Sequence, residues 1–573
     1  MKGDMNGAEI LIKCLEDLEV KQVFGYTGAA ILPVFHALGK SSIGLTVNSN
    51  EQACAFSAAG YSRSSDKVGV AIVTSGPAIT NTLTAVADSY GDSIPLLVFA
   101  GQVPEHKIGT DAFQHINVRG IFEDAAKKVI LLSNGADIES IVKDAYYFAK
   151  SGKPGPVVID LPLNIQQRKG QYRALDHEMF SSTYGHENHL SKKQCRSFFK
   201  LLQKSRKPIL YLGGGLNSDG ASRAIREFNE LFNIPFVNTL MAKGLMDEGH
   251  PRSLGTLGMF GTPYANMAIQ ETDFFFAIGV RWDDRVAEKV GGFALNADIA
   301  YIDINPEKVH QIRSERHPKF SFIGDAKTAL EDLTEYAKQE NIEIDIREWQ
   351  EKTSELRQKW PLDYNRSSKS IQQAEVLDLL STCISDETRI TTGVGNHQML
   401  AAQYLRRSKP KSFMTSGSFG TMGFALPAAI GVHYANPDAE VIAIDGDGGL
   451  KMNMGELHTI GSLGLPIKIL VLNNHGDGMV RNVQTALYGG EFTGTVRDSD
   501  ISLAEVARVC GFGHAKRVSD RKELRESIDD FLASRGPSLL EVITDFDEAV
   551  YPKVPPGKPY REMILGPYIR ERR

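Results

Sequence analysis

Short runs of β-branched and apolar residues recur along the chain, and helical patterns of ten or more residues separate most of them. Val68–Val73, Pro95–Ala100 and Val157–Leu161 form one set. Pro208–Leu212, Phe274–Ile278 and Ala300–Ile304 form a second, and Val441–Ile444, Ile467–Leu472 and Leu539–Ile543 a third. All read as buried strands. Strands alternating with helices predict an α/β protein of doubly wound parallel sheets, here three of them. A length of 573 residues fits three domains. Composition marks the joints. Residues 166–194 are polar and His-rich and read as a linker. Residues 335–370 are heavily charged and read as a partly helical connector with a solvated face. The domains are therefore expected at 1–180, 195–335 and 371–549, followed by a proline-bearing tail at 550–573 that wraps over the body.

Charge and composition exclude several function classes. A net charge of −6 argues against a nucleic-acid binder, which usually carries a basic excess. No apolar stretch approaches the roughly 20 residues needed to cross a bilayer. Residues 1–14 lack the layout of a signal peptide, and Asn6-Gly7-Ala8-Glu9 reads as a capped helix start. The five cysteines are scattered and form no CxxC pair, which predicts reduced thiols in a cytoplasmic protein. The 14 histidines show no metal-ligand spacing.

The most informative motif is Gly446-Asp447-Gly448, followed after 24 intervening residues by Asn473-Asn474. Each part follows a strand pattern, so a carboxylate and an amide oxygen are expected at the carboxyl ends of parallel strands, where open α/β sheets bind ligands. Asp447 and Asn474 are hard oxygen ligands suited to Mg²⁺, and the glycines let a diphosphate approach the backbone. The pair resembles the fingerprint of thiamine-diphosphate enzymes. The resemblance implies that Asp447 and Asn474 carry the Mg²⁺, with the carbonyl of Gly476 as third ligand. Such enzymes need a carboxylate that hydrogen-bonds N1′ of the aminopyrimidine and supports proton removal at C2 of the thiazolium. Glu51 fits, since it follows the strand pattern Gly44–Val47 and opens an apolar, small-residue helix at Ala53–Tyr61. A carboxyl placed there is expected to be shielded from water.

Further motifs resemble the catalytic subunits of the acetolactate synthase family, and they span nearly the whole chain. They are Val23-Phe24-Gly25-Tyr26, Glu51-Gln52-Ala53, Thr74-Ser75-Gly76-Pro77, Gly101-Gln102-Val103-Pro104, Asp111-Ala112-Phe113-Gln114, Gly420-Thr421-Met422-Gly423, Gly478-Met479-Val480 and the tail from Val550 to Ile564. The resemblance implies that pyruvate is decarboxylated and its two-carbon unit passed to a carbonyl acceptor, giving acetolactate when the acceptor is a 2-oxo acid. It places Tyr26, Gly28, Pro77, Asn81, Gly420 and Met479 against the cofactor, and Gly395, Asn396, His397, Gly446, Gly448 and Gly449 around its diphosphate. Met422 is implied as the bulky residue that bends the cofactor, with Phe113 and Gln114 facing the reacting carbon. It also implies a homodimer or homotetramer, with Glu51 and the Asp447–Asn474 site contributed by different subunits, and allows a regulatory subunit.

In the middle domain Gly213-Gly214-Gly215 follows a strand pattern, a placement that can cradle a phosphate. With Thr239, Leu240, Met241, Gly279, Arg281, Arg285, Asp303, Ile304 and Asp325 it resembles the FAD-contacting segments of the flavin-containing synthases. The implied FAD is structural, with Arg281 and Arg285 at the phosphates or flanking the flavin and Asp303 at the ribose. Two positions depart from that pattern: Phe260 replaces a histidine and Lys153 an arginine. On the acceptor side Asn50, Ala29, Leu163, Asn482 and Val483 replace the family's histidine, glycine, lysine, glutamine and tryptophan. An alternative acceptor, a bulkier ketone or keto-sugar, follows from the volume opened at Val483 and the cation lost at Leu163. A pyruvate-oxidase-type flavoenzyme is the remaining alternative.

Overall fold

The computed structural model describes residues 4–174, 176–184, 188–287, 293–497 and 501–572. It contains three six-stranded sheets, every strand pair in them parallel. The first is built from β1 (Gln22–Tyr26), β2 (Gly44–Val47), β3 (Gly69–Val73), β4 (Leu96–Gln102), β5 (Lys128–Leu131) and β6 (Pro156–Pro162), in spatial order β2-β1-β3-β4-β6-β5. The second uses β7 (Pro208–Leu212), β8 (Phe236–Asn238), β9 (Ser253–Thr256), β10 (Phe274–Ile278), β11 (Asp298–Asp303) and β12 (Phe320–Ile323), in order β9-β8-β7-β10-β11-β12. The third uses β13 (Arg389–Thr392), β14 (Phe413–Thr415), β15 (Val441–Gly446), β16 (Ile467–Asn473), β17 (His514–Val518) and β18 (Ser538–Ile543), in order β14-β13-β15-β16-β18-β17. The first and third sheets therefore share one topology, a repeat invisible at the residue level.

Local chemistry starts the elements. Asn6 and Glu9 form a reciprocal capping box on the helix Gly7–Asp17. Asn50 caps the helix Glu51–Arg63 by accepting from the Ala53 N–H at 2.9 Å. That helix meets Ala425–Ala435 most closely at the small residues Ser57 and Gly60. A Cβ on Gly60 would lie 2.1 Å from the Ala428 carbonyl oxygen, and one on Gly431 1.8 Å from that of Ser57. The two backbones are thus in contact, and the first and third domains bury one continuous core around Phe56, Ala59, Phe424 and Ala428.

The connectors are more ordered than their composition suggests. Residues 166–194 include the helix His177–Tyr184, and Phe180 is buried against Tyr147 with ring centroids 6.1 Å apart. In the charged connector, the helix Arg347–Lys359 buries Trp349, whose Nε1 donates to the Pro208 carbonyl at 3.0 Å. The charges occupy the other faces. The tail does wrap: the Val554 N–H donates to Met259 O at 2.8 Å, and Val554 and Tyr560 join the second domain's core.

Candidate active site

In each sheet the strand order reverses beside the first strand, leaving a crevice at the carboxyl ends of the flanking pair. In the first sheet that pair is β1 and β3. β1 ends at Tyr26 and leads to Gly28, where a Cβ would meet Thr74 at 2.5 Å. β3 leads to Thr74–Pro77, and Asn81 follows within the short helix Pro77–Asn81. Asn81 Nδ2 donates to Glu51 Oε2 at 2.8 Å. Gln114 adopts φ 60°, folds over Gly76 and receives the Ser75 hydroxyl at 3.4 Å. Phe113 beside it is 88% exposed. Glu51 itself is only half-buried, so a single chain does not supply the shielding its position leads one to expect.

The third sheet reverses between β13 and β15. Gly395-Asn396-His397 follow β13, with Gly395 at φ 154° as the N-cap of the helix Asn396–Tyr404. Gly446 ends β15 and Asp447, Gly448 and Gly449 open the next helix. Asn396 Nδ2 donates to Glu548 O at 3.0 Å, while Asn396 Oδ1 and His397 Nε2 are buried without partners. His397 lies 3.5 Å from Asp445, yet this is no ion pair. Burial lowers the imidazole to about 4 and raises the Asp445 carboxyl to about 8.

Asp447 is 2% exposed, and burial raises its carboxyl pKa above the usual range. Its Oδ1 has no partner among the described residues, and its Oδ2 faces Arg497 Nη1 at 3.3 Å. At the end of β16, the Asn474 amide sits 2.7 Å from the Gly476 carbonyl oxygen. With its nitrogen turned there it hydrogen-bonds; with its oxygen turned there, two acceptors converge, an arrangement that a cation would stabilise. Room nearby is scarce except at glycines, since a Cβ on Gly478 would lie 2.4 Å from the Asn474 amide nitrogen and one on Gly448 2.7 Å from Asp477 Oδ1. Gly420, at φ 65°, lies beside Val394 ahead of Gly395; Met422 follows two residues on, and Met479 sits in the first turn of the helix Gly478–Leu487.

The structure adds residues that no motif announced. Arg497 bridges Asp447 and Asp477, the latter at 2.8 Å. Arg481 is buried and donates to the Asn474 carbonyl at 3.0 Å. Asp477 could have been noticed, because Gly476-Asp477-Gly478 repeats the Gly-Asp-Gly pattern; Arg497 follows an aperiodic stretch and carries no such signal.

The two halves are linked through their supports. Glu456 accepts from Asn48 Nδ2 at 2.9 Å and the Ser49 N–H at 2.8 Å, and Asn453 pairs with Gln52 at 3.3 Å. Arg63, Asp88 and Asp92 of the first domain grip the loop ahead of Met422. Asp92 accepts from the Gly417 and Ser418 N–H groups at 2.9 and 2.7 Å, and Asp88 from Thr421 Oγ1 at 3.1 Å. Among the described residues no hydrogen bond or ion pair joins Glu51 to Asp447 or Asn474.

The second sheet reverses between β7 and β10, which lead into Gly213–Gly215 and Gly279. A Cβ on Gly213 would sit 2.0 Å from the Gly279 carbonyl oxygen. Thr239, Leu240 and Met241 follow β8, and Met241 packs on Gly214 and Gly417. Thr239 Oγ1 and Asn217 Oδ1 are buried without partners. Arg281 pairs with Asp283 at 2.8 Å and donates to the Ser418 hydroxyl. Burial raises Asp303, which ends β11 ahead of Ile304, to about 6. Arg285 is exposed. Asp325 caps the helix Ala326–Gln339, accepting from Thr328 N at 3.2 Å. Lys153, at the position of the family's arginine, lies over the Tyr90 ring at 4.3 Å, and burial, then the charge of Arg281, lower its pKa.

The domain models of thiamine pyrophosphate enzymes match in order: the N-terminal TPP binding domain at residues 5–121, the central domain at 195–333 and the C-terminal TPP binding domain at 393–542. The chain is 39% identical to "Acetolactate synthase 3, chloroplastic" of Brassica napus, over 97% of this chain and 86% of that one. It is 36% identical to "Acetolactate synthase isozyme 2 large subunit" of Escherichia coli, over 98% and 99%. The chain belongs to the acetolactate synthase family. The departures from the family pattern have local settings. Asn50 is the helix cap already described, Phe260 packs against the third domain's core, and Val483 is 41% exposed on the helix Gly478–Leu487. Leu163 opens the short helix after β6.

Proposed function

We propose that the chain is a thiamine-diphosphate- and Mg²⁺-dependent carboligase that makes acetolactate. One pyruvate loses carbon dioxide, and its remaining two carbons bond to the carbonyl carbon of a second 2-oxo acid. The observation that carries this reading is full-length kinship to acetolactate synthases in a chain that keeps Glu51, Asp447 and Asn474, with their switch-point geometry intact.

When bound, thiamine diphosphate supplies the nucleophilic carbon and the electron sink for decarboxylation. Asp447 Oδ1, the Asn474 amide oxygen and the Gly476 carbonyl offer hard ligands for Mg²⁺. Gly395, Gly446, Gly448 and Gly449 keep space clear for a diphosphate, and neutral His397 can hydrogen-bond it without adding charge. Asn81 holds Glu51 Oε2, leaving Oε1 to hold a proton at the pyrimidine nitrogen. Tyr26, Gly28, Pro77 and Met479 line the cofactor's flanks, Met422 acts as its wedge, and Phe113 and Gln114 face the substrate carbons.

Glu51 stays half-buried, and Phe113, Phe419, Met452, Val480 and Leu487 around the two halves stay exposed. Apolar exposure on this scale marks an interface. The reading is therefore a homodimer or homotetramer in which one subunit's Glu51 completes another's Asp447 site. The Escherichia coli relative is named a large subunit, which makes a regulatory partner a further element of the proposal. FAD fits the second domain, where Gly213–Gly215 and Gly279 leave a backbone cradle and Thr239 Oγ1 lacks a partner; its role would be structural. No described helix is long and apolar enough to cross a membrane; a cytoplasmic setting is part of the proposal.

The test is product analysis with pyruvate, thiamine diphosphate and Mg²⁺, with and without a panel of larger ketones. Acetolactate as main product is expected. Preferential transfer to a larger ketone would replace this reading with the bulky-acceptor one, which no comparison favours. Purified protein is expected to be yellow and to release FAD on denaturation; a colourless protein that gains no thermal stability from added FAD removes the flavin from the scheme.

A further inference from the structure

A cavity of about 340 Å³ lies on the seam between the second and third domains, and none of the active-site residues named above lines it. Its floor is electrically settled, because Lys243 Nζ and Glu248 Oε2 pair there at 2.5 Å, both buried. Its walls are not. Arg357, Arg406 and Arg572 line it, and among the described residues none of the three pairs with a carboxylate. Arg357 donates to the carbonyls of His250, Ser253 and Glu248 at 2.8, 3.1 and 3.2 Å, which fixes the guanidinium without cancelling its charge. Arg366 is balanced by Asp363 at 2.9 Å, so Asp378 is the one lining carboxylate left against three guanidiniums.

Arg572 is held at the rim rather than drifting past it. Lys359 and Glu571 pair at 2.6 Å, the Arg572 N–H donates to Lys359 O at 2.8 Å, and Ile569 is buried just before. Tyr264, Tyr404 and Leu362 supply apolar walls. Gln403 donates through Nε2 to Phe260 O at 2.9 Å. Converging guanidiniums repel one another and match the planar oxygens of carboxylate or phosphate. A volume of this size falls in the range of small-ligand pockets.

We propose that this cavity binds a small, multiply charged organic anion, either a phosphate ester or a dicarboxylate. The charge goes to Arg357, Arg406 and Arg572. The site lies at the last turn of the helix Asn396–Tyr404, whose first turn holds Asn396 and His397, a position suited to an effector.

Isothermal titration of the protein saturated with thiamine diphosphate and Mg²⁺ tests this, with 3-phosphoglycerate in one arm and malate in the other. Saturation keeps the diphosphate pocket from taking the probe. At least one probe is expected to bind with Kd below about 1 mM, and the tighter arm identifies the charge carrier. Arg406→Gln and Arg572→Gln, both at exposed positions, are each expected to weaken that binding about tenfold, the scale of one lost charge-assisted hydrogen bond. Failure of both probes to bind below that limit, or unchanged affinity in both variants, overturns the proposal.

Discussion

Glu51 owes its place to its neighbours: Asn50 caps the helix it opens, and Asn81 fixes one of its two oxygens at 2.8 Å. Glu51→Gln keeps that shape and loses the exchangeable proton. Decarboxylation of pyruvate is expected to fall about 10²-fold or more, with cofactor affinity retained; near-normal carbon dioxide release would dismiss the relay. Asp447→Ala removes the only carboxylate of the proposed Mg²⁺ set. Titration of thiamine diphosphate and Mg²⁺ is expected to show weakened binding with the fold intact by circular dichroism. Asp160 behaves differently. Burial raises its carboxyl to about 7, and Gln102 contributes the one hydrogen bond, at 3.3 Å. The folded state thus holds this proton more tightly than the unfolded state. Its contribution to stability is complete below the unfolded value of about 3.9 and is lost as pH rises through 7. Asp160→Asn is expected to raise stability at pH 8 by about 1–3 kcal/mol, and to give no gain at pH 4, in denaturant titrations at both pH values.

At the scale of elements, the crossing of Glu51–Arg63 with Ala425–Ala435 is the joint that aims Glu51. Gly431→Leu forces a side chain against the Ser57 backbone. A loss of about 1–3 kcal/mol or more is expected in denaturant titration, together with reduced turnover. Unchanged stability would mean that the helices are free to separate. This joint was not legible beforehand, because small residues on a helix mark close approach without naming the partner. The central strands were legible, since Pro208–Leu212 and Phe274–Ile278 are apolar throughout and buried on both faces. The edge strands Lys128–Leu131 and His514–Val518 escaped because they carry charged and half-exposed residues, and Phe236–Asn238, one strand in from the edge, escaped because it is only three residues long.

On the scale of the whole molecule, the positions of Asp447 and Asn474, the proposed Mg²⁺ ligands, could be read from spacing, because strand ends place them. Arg497 could not, because an aperiodic loop delivers it. Nor could the equal strand orders of the first and third sheets, which follow from three-dimensional pairing. Those matched sheets each present half a site, and the chain's own contacts leave Glu51 partly open. Subunit exchange decides whether a second copy closes it. Glu51→Gln and Asp447→Ala proteins are each expected to be nearly inactive alone. In a site shared across a two-fold axis, a mixed dimer contains one site with both lesions and one with neither. Random mixing at equal amounts is then expected to restore about a quarter of wild-type turnover, because half of the dimers are mixed and half of their sites are intact. A site built within one chain gains nothing from mixing, so the absence of recovery, with mixed dimers demonstrated by mass spectrometry, would assign both halves to the same subunit.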